Sequence, residues 1–228
     1  MPRPRSWGRW RLVVAGAAVA TIAGVAATYT PLFAADRISV QGTTLPDAEI
    51  LAIAGVGSAT NVFHLDEGSA ELRLEDDPRI LSATVRTSLP DAISISIVPR
   101  MPVAIADGSL VGEDGVVIGP ALVETAALPR ISGDVRAGAS AAGAMSVELR
   151  RAARTIVVAA DGRIAVRLEQ GFTADLGDGT QLSAKAASLA ALLGWAADNG
   201  VTIASADVTA PGSPTVELDR GDTVSPST

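Results

Sequence analysis

The sequence predicts an α+β protein with three parts: an N-terminal transmembrane helix, a small domain in the order strand, helix, helix, strand, strand, and a mixed β-domain with a C-terminal helix and edge strands. Three observations support this prediction. An uncharged run lies near the N-terminus, alternating apolar and polar residues mark strands in much of the remaining chain, and capped helical stripes separate these strands. The predicted boundaries are a cytoplasmic tail at 1–11, a transmembrane helix at 12–34, a first domain at 36–106, a β-domain at 107–217 and a disordered tail at 218–228.

The composition excludes several kinds of site. The 228 residues include no cysteine and a single histidine, so a disulfide framework, a thiolate nucleophile and a cysteine- or histidine-rich metal site are all excluded. Four of the 18 Lys and Arg residues precede Asp36, which leaves 14 basic residues against 25 acidic ones in the rest of the chain. An acidic body argues against a nucleic-acid partner.

The run from Leu12 to Ala35 contains no charged residue. At 1.5 Å per residue, a helix of roughly 20 apolar residues spans a hydrocarbon core of about 30 Å. Aromatic residues typical of membrane interfaces flank the run: Trp7, Trp10, Tyr29 and Phe33. We therefore predict a membrane-spanning helix. The alternative is a cleaved signal peptide, for which the small residues of "LFAA" would supply the cleavage site.

Arginines precede the uncharged run at four positions: Arg3, Arg5, Arg9 and Arg11. Positive charge accumulates on the cytoplasmic side of membrane helices. We therefore expect a single-pass membrane protein with a cytoplasmic N-terminus and its bulk outside the cytoplasm.

The first domain begins with a strand over Asp36–Gly42 that ends at a glycine turn. Pro46 is predicted at the first position of a helix that Gly55 ends, because proline suits the first helical turn and glycine the position after the last. Asp66 is predicted to cap a second helix, which stops before Pro78.

Two strands complete this domain. In the first, Leu81, Ala83 and Val85 lie on the side predicted to be buried. In the second, "ISISIVPRMPVAIA", six apolar residues share the buried parity: Ile93, Ile95, Ile97, Met101, Val103 and Ile105. Proline cannot donate to a strand ladder. The Pro-Arg-Met-Pro segment at 99–102 is therefore predicted as a bend, where a strand close to a sheet edge leaves one domain and enters the next.

These motifs, in this order, resemble the FtsQ/DivIB family of bacterial division proteins, and the module that carries them resembles its POTRA domain. The matching positions are Val40, Gly42, Asn61, Phe63, Asp66, Pro78, Ile80, Pro90, Asp91, Arg100, Pro102, Val103 and Ala104. The chain departs from the family pattern at Pro99, where the family usually has Glu, and at Arg79, where Trp is common. The segment "ALPRISG" and the last strands also resemble the family, so the resemblance extends roughly from residue 7 to residue 217.

The β-domain is predicted to start with a hairpin around Glu113-Asp114-Gly115, followed by a helix over 141–156. Three short strands then surround turns at 161–162, 170–171 and 178–179. The clearest helix covers 183–200, with Ser183 as its cap and an apolar stripe of Ala186, Leu189, Leu192, Leu193 and Ala196. Lys185 is interpreted as a surface residue and Trp195 as part of the core.

No enzyme signature is found, and the protein is predicted to be non-enzymatic, with no cofactor and no metal. His64 lacks a Ser or Asp motif beside it and is interpreted as structural or solvated. The acidic group Glu75, Asp76 and Asp77 has either a cation-binding role or, as we expect from its spacing, that of a solvated helix end. The acidic residues at 113–114, 161 and 178 precede glycines and are interpreted as turn residues.

The family resemblance implies a division protein that assembles other proteins at the septum. The implied partners are single-span proteins of the FtsB/DivIC and FtsL kind, together with the membrane, and neither a nucleic acid nor a small-molecule substrate. In the family, the last strands of the β-domain bind the partner. The matching residues here are Asp207, Val208, Thr209, Ala210, Pro211, Gly212, Ser213, Pro214, Thr215 and Val216. The alternative is a membrane-anchored protein that binds or processes the cell wall; a translocase-type POTRA protein would carry further repeats or a barrel.

Overall fold

The computed structural model describes residues 6–30, 33–121 and 127–219. The chain divides into two compact units, Met1–Pro99 and Arg100–Thr228. The elements of the first unit are α1 (Ser6–Ala27), β1 (Arg37–Gln41), α2 (Asp47–Ala54), α3 (Glu67–Glu75), β2 (Ile80–Ser88) and β3 (Ala92–Pro99). The predicted order of strand, helix, helix, strand and strand is confirmed.

Helix α1 covers much of the predicted transmembrane helix at 12–34, of which residues 31 and 32 lie outside the described residues. Across 6–30, 33–121 and 127–219, no helix has both the length and the apolar character that crossing a membrane requires. The predicted transmembrane helix is therefore not found in the structure.

The sheet of the first unit has the strand order β1-β3-β2, with β1 parallel and β2 antiparallel to β3. Strand β3 is thus central, whereas the sequence placed it close to an edge. Its buried residues Ile93, Ile95 and Ile97 pack with Ile50 of α2 and Leu74 of α3 in a core of their own. This core sits between the two helices and one face of the sheet.

Local chemistry explains most of the element boundaries. The Asp66 carboxylate accepts a hydrogen bond from the Ser69 N–H at 3.1 Å, so the predicted cap of α3 is confirmed. Gly55 ends α2 in the left-handed region at φ 68°, also as predicted. Pro46 is the extended residue before α2 and not its first helical residue, since its ψ is 135°.

The predicted burial of Leu81 is wrong. A bulge lies between Ile80, which pairs with Pro99, and Ser82, which pairs with Val98. The extra residue leaves Leu81 41% exposed, while Ile80, Ala83 and Val85 are buried. The bulge shifts the parity of the strand by one residue.

The bend at 99–102 is confirmed: β3 ends at Pro99 in one sheet, and the next strand begins at Pro102 in another. Met101 lies in the bend and is 68% exposed, so its predicted burial is wrong. The residues after it, from Val103 to Ala106, are all buried. The sequence assigned these residues to the end of the first domain, and the structure pairs them in the sheet of the second unit.

The second unit contains β4 (Pro102–Ala106), β5 (Ser109–Gly112), β6 (Val117–Pro120), β7 (Arg130–Ser132), α4 (Val135–Gly143), α5 (Val147–Ala152), β8 (Ala153–Val158), β9 (Ile164–Leu168), β10 (Thr173–Gly177), α6 (Leu182–Asn199), β11 (Ile203–Asp207) and β12 (Thr215–Leu218). The strands form one mixed sheet in the order β12-β11-β10-β9-β8-β7-β4-β5-β6. Its two edges among the described residues are β12 and β6. The predicted hairpin and the three short strands are confirmed.

The helix predicted at 141–156 is wrong in its extent. Two helices occupy this region, because the Ser146 hydroxyl accepts a hydrogen bond from the Leu149 N–H at 3.2 Å and starts α5. From Ala153 the chain forms strand β8, whose β-branched residues are paired on both sides. The strand's pairing in the sheet outweighs the helical pattern that precedes it.

Helix α6 is confirmed, but three predictions about its residues are wrong. Gln181, in the left-handed region at φ 52°, precedes the helix, and Ser183 lies exposed in its first turn. Trp195 is 45% exposed instead of part of the core. Lys185 is buried and not at the surface, with only 2% of the residue exposed.

Candidate interaction surface

Among residues 6–30, 33–121 and 127–219, strand β12 pairs only with β11 and is therefore an open edge of the nine-stranded sheet. The Asp219 N–H donates to the Thr202 carbonyl at 2.9 Å, so this residue faces β11. Along a strand, the backbone N–H and C=O groups of successive residues point alternately to one side and to the other. The backbone groups of Val216 and Leu218 therefore point away from β11. These groups offer N–H donors and carbonyl acceptors to another strand.

The turn between β11 and β12 carries most of the predicted partner-binding residues, and the fold fixes it at three points. The Val208 N–H donates to the Asp175 carbonyl of β10 at 2.9 Å, and Val208 itself is fully buried. The Ser188 hydroxyl of α6 donates to the Pro211 carbonyl at 2.8 Å. Thr209 lies directly over Gly177, where an added Cβ would come within 2.8 Å of the Thr209 methyl carbon. The turn is therefore held by β10 and α6.

Asp207 organises the start of this turn. Its carboxylate accepts hydrogen bonds from the Thr209 N–H at 2.9 Å and the Thr209 hydroxyl at 2.7 Å. These two bonds, with the positive charge of Arg163, lower the pKa of the Asp207 carboxyl. The carboxylate is thus kept ionised beside the open edge, where Glu217 and Asp219 add further negative charge.

The sequence-predicted residues share one region but differ in exposure. Val208 is buried, and Pro211, Pro214 and Val216 are half-buried; the residues exposed to solvent are Asp207, Thr209, Ala210, Gly212, Ser213 and Thr215. The edge also extends past the predicted limit, because Leu218 closes β12 and was predicted in the disordered tail. Asp219 of that tail is also described, and residues 220–228 lie outside the described residues. The apolar alternation of Val216 and Leu218 was the available signal for this extension.

Lys185 and Asp178 form an ion pair that was not predicted from the sequence. The Lys185 ammonium donates to the Asp178 carboxylate at 2.7 Å and to the Asp178 carbonyl at 3.0 Å. Hydrogen bonds from Lys185 and Thr180 lower the pKa of Asp178 to about 2. The pair joins the end of β10 to the first turn of α6, the two elements that hold the 209–214 turn. A lysine in an apolar helical stripe with an Asp-Gly turn seven residues before it was the signal.

The other candidates have structural roles. Glu75 accepts a hydrogen bond from the Ala83 N–H and Asp77 pairs with Arg79, whereas Asp76 is the residue after the last turn of α3. Within the described residues, no group of three or more His, Asp or Glu side chains is placed to hold a metal ion. The His64 ring stacks on Tyr29 with centroids 4.2 Å apart.

The turn residues Asp114 and Asp161 also have local partners. Asp114 accepts a hydrogen bond from the Arg100 Nε at 3.0 Å, and Asp161 accepts one from the Arg163 N–H at 3.1 Å. The Asp161 bond lies within its own hairpin turn, whereas the Asp114 bond joins the turn between β5 and β6 to the segment before β4.

Residues 33–100 match the profile of the POTRA domain, FtsQ-type. The first unit is therefore a POTRA module of this type, followed by a second, strand-rich unit. Similar proteins are found along nearly the whole chain.

The Cell division protein FtsQ of Mycolicibacterium smegmatis is 31% identical over 223 residues, which cover 91% of this chain and 64% of that protein. The protein of the same name from Mycobacteroides abscessus is 29% identical, over 90% of this chain and 68% of its own length. The one from Streptomyces griseus is 29% identical, over 79% of this chain and 96% of its own length. Along most of its length the chain is similar to cell division proteins of the FtsQ/DivIB family, whose type of POTRA domain it carries. It spans just under two thirds of the length of its M. smegmatis relative.

Proposed function

We propose that this chain is a non-enzymatic assembly protein of bacterial cell division that binds other division proteins through the β12 edge. The observation that carries the proposal is the open edge strand at the end of the second unit, beside a turn that β10 and α6 hold in place. The names of its relatives, each a cell division protein, support the division role.

The proposed mode of binding is strand addition. An extended segment of a partner pairs with the outward backbone groups of Val216 and Leu218 and continues the nine-stranded sheet. Backbone hydrogen bonds supply affinity, and the exposed side chains beside the edge supply specificity. The residues proposed for the contact are Asp207 to Val216, as the sequence predicts, with Glu217 and Leu218 added by the structure.

The proposed partners are single-span division proteins of the FtsB/DivIC and FtsL kind, at the division septum. The acidic residues Asp207, Glu217 and Asp219 beside the edge favour a partner segment with basic residues next to its added strand. Neither a nucleic acid nor a small-molecule substrate is part of the proposal.

We also propose that the N-terminal segment holds the chain at the bacterial cell membrane with the two units outside the cytoplasm. The uncharged run from Leu12 to Ala35 and the four arginines before it support this location. Protease added to intact spheroplasts should digest the two units of an anchored chain. Digestion only after lysis would contradict the proposed orientation.

The edge is tested by Leu218→Pro against Leu218→Ala in the full chain. Proline removes the outward N–H and leaves the bonds to β11 in place, since Leu218 does not face β11. Alanine also removes the leucine side chain but keeps the backbone N–H. Leu218 is 39% exposed. We expect much less of the single-span partners to co-purify with the proline variant, and we expect this variant to support septation poorly. The alanine variant should bind its partners and support septation as the wild-type chain does.

The thermal unfolding of both variants shows whether the fold is intact. If the folded proline variant recruits its partners as the alanine variant does, the β12 edge is not the contact. If both variants and the wild-type chain are distributed evenly around the envelope and cells depleted of the native protein divide normally, the division role itself is contradicted.

A further inference from the structure

The described sheets present four edge strands, and one of them is much longer than the others. β1 has five residues and β6 and β12 have four each, whereas β2 has nine. A long edge strand is a template for unwanted pairing with another chain, and short edge strands are one common protection against it. β2 lacks that protection, so its edge needs another device.

Three glutamates of α3 occupy the outer edge of β2. Glu67 accepts a hydrogen bond from the Thr87 N–H at 2.6 Å, Glu71 from the Val85 N–H at 2.8 Å, and Glu75 from the Ala83 N–H at 3.1 Å. We call these three side chains the glutamate ladder. At the start of the strand, the Ile80 N–H donates to the Asp77 carbonyl at 2.9 Å.

The spacing of the ladder follows from the geometry of the two elements. Residues four apart on a helix lie on one face and rise by about 6 Å. Alternate residues of a strand direct their N–H groups to the same side and rise by about 6.7 Å. Helix α3 runs opposite to β2, so that successive glutamates meet successive N–H groups in reverse order. The helix therefore presents carboxylates where a neighbouring strand would present carbonyls.

Arg86 completes the closed edge. Its guanidinium donates to the Val85 carbonyl at 2.9 Å and to the Glu71 carboxylate at 3.2 Å, and it lies 3.6 Å from Glu67. One outward acceptor of the strand is thus occupied along with the three donors. The hydrogen bonds from Thr87, with the charge of Arg86, lower the pKa of Glu67, which keeps its carboxylate ionised near neutral pH.

We propose that the glutamate ladder acts as a substitute strand that closes the β2 edge, and that removing its carboxylate oxygens lets β2 pair with β2 of a second copy of this chain. The nine residues of β2 are enough to form such a pair of strands. An antiparallel pair centred on Val85 would place Ala83 of each copy opposite Thr87 of the other, with no like charges directly opposed. The same strand supplies both sides, as a two-fold interface requires.

The test compares two triple variants of the full chain that carry the same change of charge. Glu67→Ala, Glu71→Ala and Glu75→Ala together remove the acceptors, whereas Gln at the same three positions keeps an acceptor oxygen. Amide hydrogen exchange is measured at low protein concentration and sedimentation velocity over a concentration series. We expect exchange at Ala83, Val85 and Thr87 to accelerate about tenfold or more in the alanine variant and much less in the glutamine variant.

At high concentration the alanine variant should form a dimer in which the same three amides become protected again, and the glutamine variant should stay monomeric. An alanine variant that remains monomeric at all concentrations, or that dimerises without protection at these amides, overturns the proposal. Unchanged exchange at low concentration overturns it too. If the triple variant does not fold, Glu71→Ala against Glu71→Gln gives the same two measurements, with the change confined to the central Val85 amide.

Discussion

At the scale of the residue, Lys185 and Asp178 are an unequal pair. The Lys185 side chain is 3% exposed and the Asp178 side chain 69% exposed. The cost of losing one partner depends on which charge is left behind, because an unpaired charge is costly when buried and cheap in water. The two single substitutions should therefore differ strongly.

We expect Asp178→Ala to lower the free energy of unfolding clearly, since it leaves the buried Lys185 ammonium with the backbone carbonyl of residue 178 as its remaining acceptor. Lys185→Met should change it by less than about 1 kcal/mol, because the new side chain fills the same space and the carboxylate it releases is solvated. Urea unfolding of the two variants measures the difference. An equal loss in both would show that the pair acts through its attraction alone.

The same pair predicts a dependence on pH. The pKa of Asp178 in the fold is about 2, below the ordinary value of 3.8, so the unfolded chain takes up the proton first as pH falls. The stabilisation is complete above about pH 5 and is lost progressively as the pH falls from about 5 to about 2. We expect the stability difference between wild type and Asp178→Asn to shrink from about pH 5 to about pH 2.5. A difference that stays constant over this range would contradict the assigned pKa.

At the scale of the element, caps and turns were predictable from sequence, because each depends on a few adjacent residues. The Asp66 cap, the Gly55 helix end and the hairpin around Asp114 are examples. The errors came where distant residues decide. Leu81 is exposed because a bulge against β3 shifts its parity, and Ala153 begins a strand because β7 and β9 flank it.

Helix α3 begins at the Asp66 cap, which was predicted, and its first turn carries Glu67, whose contact with the Thr87 N–H of β2 was not. Asp66→Ala should destabilise the first unit, since the Ser69 N–H loses its acceptor, and Asp66→Asn should retain most of the stability. Fraying would begin at the first turn, which carries Glu67. Amide exchange should therefore rise at Thr87 before Ala83 in the alanine variant. A uniform rise along β2 would show that α3 does not fray from that end.

At the scale of the whole molecule, the α+β class, the POTRA-like order and the late edge strand were predictable, because periodicity and turn residues encode them locally. The residues proposed for the partner contact were predicted by their position in a family pattern. Two contacts of the turn were not predictable, because they depend on how α6 and β10 pack: the hydrogen bond from the Ser188 hydroxyl to the Pro211 carbonyl, and the close approach of Thr209 to Gly177.

Each unit has its own core, and this predicts separate sensitivity to core substitutions. Ile95 belongs to the core of the first unit and Leu176 to that of the second, and both are fully buried. Replacing either by alanine leaves a cavity that costs about 2–5 kcal/mol in the unit that contains it. Amide exchange should rise in β2 and β3 for Ile95→Ala and in β9 and β10 for Leu176→Ala. An increase spread equally over both units would mean that the two cores unfold in one cooperative step, because a loss of stability in a cooperative unit is shared by all of its protected amides.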